Sequence, residues 1–140
     1  MTSENAAAEA GGAPWTQREL PGFIGTAGPL WTRREGAGWA YGFKAGAQHL
    51  NPAGVVHGGA LLTLLDHAIS AVAWEASGRQ ACVTVQLDTQ FLAAAREGDL
   101  LEARAELVQR SKSLLFMRGS VSVAGRPVAS AQSVLKAIAS

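Results

Sequence analysis

A chain of 140 residues with 48% hydrophobic and 16% charged residues has the size and composition of one globular domain, with enough apolar content for a real core. Its formal net charge is +1 and no block of like charges occurs, which gives no electrostatic case for nucleic acid or an anionic membrane as partner. The single cysteine, Cys82, excludes an intrachain disulfide; no basic and apolar leader pattern opens the sequence, and no apolar run approaches the roughly 18 residues of a membrane span, so a soluble cytoplasmic protein is expected.

Residues 1–14, MTSENAAAEAGGAP, are small, polar and aperiodic, and are expected to be a disordered tail ahead of a single domain over residues 15–140. WTQREL to FIGTAG predicts one short helix and a turn, held by Trp15, Leu20 and Phe23. PLWTRREGAGWAYGFKAG then reads as a β-hairpin, because glycines mark the bend in EGAG and aromatics enrich its flanks. From Gly59 to about Ala76 the apolar residues cover most of a helical circumference, which predicts a buried helix that stops at SGR. At about 100° per residue, Gly59, Thr63, Asp66 and Ser70 fall in one narrow stripe of that helix.

Strand signals follow. CVTVQLDTQF sets Val83, Val85, Leu87, Thr89 and Phe91 against Thr84, Gln86, Asp88 and Gln90, a period of two that predicts one buried and one polar face. DLLEARAELVQR, SLLFMRGSVSV and RPVASAQSVLKAIA continue as a meander through RSK and AGR turns. The fold class is therefore α+β, with a mostly antiparallel sheet wrapped around one helix. One helix covers only one face of such a sheet, so the Thr84 face is expected to meet water or another subunit.

Asp66 lies inside the apolar run, and a buried carboxylate costs several kcal/mol unless it is paired or hydrogen-bonded. Thioester hydrolysis would use such a group: it needs an activated water or a nucleophile, and hydrogen-bond donors aimed at the carbonyl oxygen where charge develops. Gly58 and Gly59 at the helix start would leave backbone N–H groups unsatisfied, at the positive end of the helix dipole, with no side chain to block approach. Asp66 would deprotonate water or attack the acyl carbon itself. His57 is assigned an orienting role. His49, His57 and His67 lack the spacing of a metal site, and none is expected. Arg110, Ser111 and Lys112 at a strand turn would either hold phosphates or form a plain solvated turn.

The pattern Asn51, Gly54, His57, Gly58, Gly59, Thr63 and Asp66, followed by VTVQLDTQFL, resembles the hotdog-fold thioesterases, specifically their PaaI-like acyl-CoA branch, from about Phe23 to the C-terminus. The resemblance implies a hotdog fold, a homodimer or a homotetramer built as a dimer of dimers, and hydrolysis of an acyl-CoA with an aryl or medium-chain acyl group. It implies no cofactor, coenzyme A being part of the substrate. It also implies that Asn51 helps hold the thioester carbonyl, and that Thr84, where relatives often carry serine, assists the attacking water. Gly59, Thr63 and the turn at Arg110, Ser111 and Lys112 would contact substrate.

Two other activities fit such a chain. A non-catalytic acyl-CoA-binding protein would keep the pocket but have no use for the acid. An acyl-thioester hydratase or dehydratase would need an acid and histidine acting together, and the adjacent Asp66 and His67 point about 100° apart.

Gly58 and Asp66 are eight residues apart on nearly one helix, or about 12 Å along its axis. A reacting carbon must sit about 3 Å from both the nucleophile and the oxyanion donors. The expected solution is a two-fold axis that sets Gly58 and Asn51 of one subunit against Asp66 and Thr84 of another.

Overall fold

The computed structural model describes residues 13–138. Residues 1–12 of the predicted tail lie outside the described residues; Ala13 and Pro14, its last two, are irregular and lead into the buried Trp15. The elements in chain order are β1 (Thr16–Arg18), α1 (Phe23–Ala27), β2 (Leu30–Glu35), β3 (Gly38–Lys44), a 3-10 turn (Ala47–His49), α2 (Gly58–Ala76), β4 (Cys82–Phe91), β5 (Leu100–Arg110), β6 (Leu114–Val123) and β7 (Arg126–Ala137). The strands form one antiparallel sheet in the order β1-β2-β3-β5-β6-β7-β4. This is the expected α+β architecture, a sheet wrapped around one long helix.

The N-terminal reading needs correction. The short helix exists, but a strand precedes it, and Leu20 and Phe23 are 37% and 71% exposed; only Trp15 is buried. The hairpin is as expected, with Glu35 opposite Gly38 and Gly36 at φ +56°, a conformation that glycine adopts without strain.

Leu61, Leu64, Leu65, Ala68, Ile69 and Ala73 form the buried face of α2. Each large member contributes about 1.5–3 kcal/mol by leaving water. They meet Phe43, Leu101, Leu115, Met117, Val121 and Leu135 from the sheet. On β6, Leu115, Met117, Gly119 and Val121 alternate inward without interruption. Gly119 makes room for the helix there, since a Cβ would lie 2.9 Å from Ile69 Cδ1 and that side chain would have to shift.

The alternation predicted for β4 does not hold along its length. Thr84 pairs with Leu135 but Gln86 pairs with the next residue back, Val134, so Val85 is an extra residue in a β-bulge. A one-residue insertion reverses which face each later side chain takes. Cys82 and Thr84 therefore share the helix side with Leu87 and Phe91, while Val83 and the 61%-exposed Val85 face away from the core. Of the polar set expected to meet water or another subunit, Thr84 is therefore turned to the helix side, while Gln86, Asp88 and Gln90 keep the exposed side expected of them. Ser133 on β7 donates its hydroxyl to Gln86 O at 2.7 Å, satisfying a carbonyl beside the interrupted ladder.

Candidate active site

The loop that feeds α2 is folded by Asn51. Its Oδ1 accepts from Ala53 N–H at 2.9 Å and Val55 N–H at 3.3 Å, its own N–H donates to Val55 O, and Gly54 N–H donates to Asn51 O at φ +84°. An Asn side chain commonly closes turns in this way. The amide nitrogen Nδ2 is left without a partner among the described residues. The chain then returns past the buried Val56, and His57 N–H donates to His49 O at 2.7 Å.

His57 is the N-cap of α2. At the start of α2, beyond the His57 N–H already held by His49 O, Gly59 N–H donates to His57 Nδ1 at 2.8 Å, Ala60 N–H donates to His57 O at 2.9 Å, and Leu61 N–H makes the first regular helical bond, to His57 O at 3.3 Å. Gly58 N–H alone has no acceptor among the described residues. Two free glycine donors were expected; there is one, because the imidazole folds back onto Gly59. The His57 imidazole thus caps the Gly59 N–H.

Gly58 is also hemmed in. A Cβ there would lie 3.3 Å from the ring of Phe91, at the end of β4. Phe91 is 52% exposed, and the uninterrupted alternation read from sequence had made it a core residue. It keeps the helix-facing side that the alternation gave it, but at the strand's end it lies beside the free donor and remains half exposed.

Asp66 is half-buried, and its Oδ1 accepts from the Thr84 hydroxyl at 2.7 Å. That hydrogen bond offsets part of the cost of placing a carboxylate on a helix so rich in leucine. Oδ2 has no partner among the described residues. The Thr63 hydroxyl donates to Gly59 O at 2.8 Å. Gly58 and Asp66 both belong to the continuous helix α2, so about 12 Å of helix separates them within one chain.

Arg110, Ser111 and Lys112 lie at the opposite end of that helix. Arg110 Nη1 donates to Ala76 O at 3.5 Å and its Nη2 to Gln80 Oε1 at 3.3 Å, Ser111 N–H donates to Leu114 O, and Lys112 is exposed. Ala76 is ten residues beyond Asp66, about 15 Å along the axis.

The adjacent acid and histidine diverge. Asp66 faces Thr84 of β4, whereas the His67 ring meets Tyr41 of β3 edge-on at 5.7 Å. Burial pushes the His67 pKa down, and Asp66 opposes that shift. Among the described residues no three His, Cys, Asp or Glu side chains are grouped to hold a metal, and no helix is long and apolar enough to cross a membrane.

A family profile, the thioesterase superfamily, matches residues 53–129. The Pseudomonas aeruginosa protein PA0474, provisionally named an esterase, is 35% identical over 88 residues, spanning 62% of this chain and 66% of that protein, just under two thirds of its length. A hypothetical thioesterase protein of Streptococcus pneumoniae, solved with coenzyme A, superposes with a TM-score of 0.65 at 26% identity over 71% of this chain and 79% of its own. A phenylacetic acid degradation-related protein of Ralstonia eutropha, provisionally named a thioesterase, gives a TM-score of 0.65 at 25% identity over 97% of this chain and 92% of its own.

Proposed function

Since the chain belongs to the thioesterase superfamily and has its hotdog fold, we propose that it hydrolyses an acyl-CoA thioester, with aryl or medium-chain acyl groups as the substrates to test first. The observation that carries this reading is the pairing of an unsatisfied Gly58 N–H with an Asp66 carboxylate whose one oxygen is anchored by Thr84 and whose other is free. A donor of this kind stabilises the charge that develops on a thioester oxygen. The free Oδ2 takes a proton from a water whose oxygen attacks the acyl carbon, and that proton passes to the departing sulfur; or Oδ2 attacks the acyl carbon itself to form an acyl anhydride, which water then hydrolyses to the free acid while a proton of that water goes to the thiolate. In both routes the C–S bond breaks and coenzyme A leaves as the thiol. The coenzyme A in the pneumococcal relative supports the same ligand here.

The site is completed by a second copy. β4 lies at one edge of the sheet, ten residues long, with no strand paired to its outer edge among the described residues. Two copies related by a two-fold axis there would bring the α2 helices side by side in opposite directions. Gly58 and the free Nδ2 of Asn51 in one copy then face Asp66 and Thr84 of the other. On this reading Arg110 and Lys112 belong with Asp66 of their own chain, and the 15 Å of helix between them matches the scale of a pantetheine arm reaching to the nucleotide phosphates.

Steady-state hydrolysis of a panel of acyl-CoAs, read as kcat/KM, tests the proposal. Turnover is expected for at least one acyl class, with a roughly 10²- to 10⁴-fold lower kcat in Asp66→Ala whose circular dichroism matches the parent. An absence of turnover across the panel, or near-parental kcat in the variant, would overturn it.

A further inference from the structure

We propose that the cavity between the second half of α2 and the β2–β3 hairpin is a second ligand site, built for a small aromatic monocarboxylate. It lies on the opposite flank of α2 from Asp66, on the side where His67 meets Tyr41. The cavity has a volume of about 600 Å³, within the range of small-molecule sites.

Its central feature is Tyr41. The residue is 8% exposed and lines the cavity, yet its hydroxyl has no hydrogen-bond partner among the described residues. The ring is largely withdrawn from water while the hydroxyl stays accessible from the cavity, where it is a donor open to a ligand oxygen. Burial, reinforced by the charge of Glu75, pushes the Tyr41 pKa up, so the phenol is a donor at neutral pH.

The surroundings define what the donor serves. Trp39 and Val72 supply an apolar wall. Arg34 stands directly opposite Trp39 in the β2–β3 register, with its guanidinium 5.1 Å from the ring centre and its Nε on Gly36 O. Both of its Nη atoms lack protein partners among the described residues, a fork suited to a carboxylate. Arg79 also lines the cavity, but Glu75 lies 3.6 Å from its guanidinium. Two arginines and one glutamate leave a net charge of +1, which suits a monoanion, while Glu75 disfavours a phosphate dianion. An aromatic body fits the Trp39 wall, and its acid end reaches Arg34 and Tyr41.

The test is a titration of 15N-labelled full-length protein with 2-naphthoate, its Kd measured in parallel by calorimetry, with neutral 2-naphthylmethanol and inorganic phosphate as comparison probes. Amide shifts are expected to cluster around Tyr41 and Val72, with Kd on the order of 0.1–1 mM and at least tenfold weaker binding of both comparison probes. Arg34→Ala should weaken naphthoate about tenfold or more, Tyr41→Phe about fivefold, and Asp66→Asn not at all. Naphthoate shifts centred on Gly58 and Thr84, an absence of saturable binding, equal binding of phosphate or the alcohol, or indifference to Tyr41→Phe would each overturn the proposal. None of these outcomes depends on whether the protein hydrolyses thioesters.

Discussion

On its β4 flank α2 presents Asp66 to the hydroxyl of Thr84; one residue later, on its β3 flank, it presents His67 to the ring of Tyr41. Both side chains are ionisable and both are partly withdrawn from water, but their surroundings differ. The carboxylate keeps one hydrogen-bonded oxygen and one free oxygen, an arrangement that suits a group meant to carry and exchange charge. The imidazole meets an aromatic edge, and burial biases it toward its neutral form. A single helix thus carries on one flank a carboxylate with a free oxygen, the group proposed to react, and on the other an imidazole biased toward neutrality, and the strand beside each residue sets the difference.

The sharpest way to break this contrast is at Thr84. Thr84→Val keeps the side chain's shape but removes the donor on Asp66 Oδ1, and kcat should fall by roughly 10- to 100-fold, with Thr84→Ser recovering most of it. Equal kcat in the valine and serine variants would show that the hydroxyl has no part in catalysis.

A smaller effect is expected at Ser133, which does not approach the carboxylate and holds the bulge that turns Thr84 inward. Ser133→Ala should cost about 1 kcal/mol, seen as a Tm lower by about 3 °C. An unchanged Tm would mean that the bulge stands without this hydroxyl.

The smallest effect belongs to His67. The pKa of His67 is lower in the folded chain than its ordinary value of 6.5, so between those two values the unfolded chain binds the extra proton. The stability that neutral His67 contributes is present in full above pH 6.5 and is lost as pH falls through the lowered folded value. Chemical denaturation at a series of pH values should therefore show stability declining below about pH 6.5, with a shallower decline in His67→Gln. Identical slopes for parent and variant would remove His67 from the acid response.

Periodicity made most of the fold legible. The α2 stripe, the hairpin at Gly36 and the alternation of β6 all follow from spacing, because each is a regular element whose buried side repeats. The exceptions share a cause. The inserted Val85 leaves no mark in the hydrophobic pattern, since Val83 and Val85 look like core residues until the register to β7 is known. That one residue decides that Thr84 meets Asp66. The capping geometry was equally hidden: sequence places His57 before two glycines, but only the folded chain shows its imidazole occupying Gly59 N–H and leaving Gly58 as the single free donor. Strand β1 escaped notice because its three residues are all exposed and show no periodicity.

Gly58 of one chain and Asp66 of another are proposed to serve the same thioester. Asn51→Asp retains the Oδ1 acceptor that closes the loop but removes the free Nδ2 donor, and Asp66→Ala removes the acid. Each protein alone should be nearly inactive. After subunit exchange, verified by native mass spectrometry, a mixed dimer has one site with both lesions and one with neither. Random pairing makes half of the dimers mixed, so about a quarter of parental activity should return. Activity that stays at the level of the separate variants despite verified exchange would contradict the shared site and place the donor and the acid of each site in one chain.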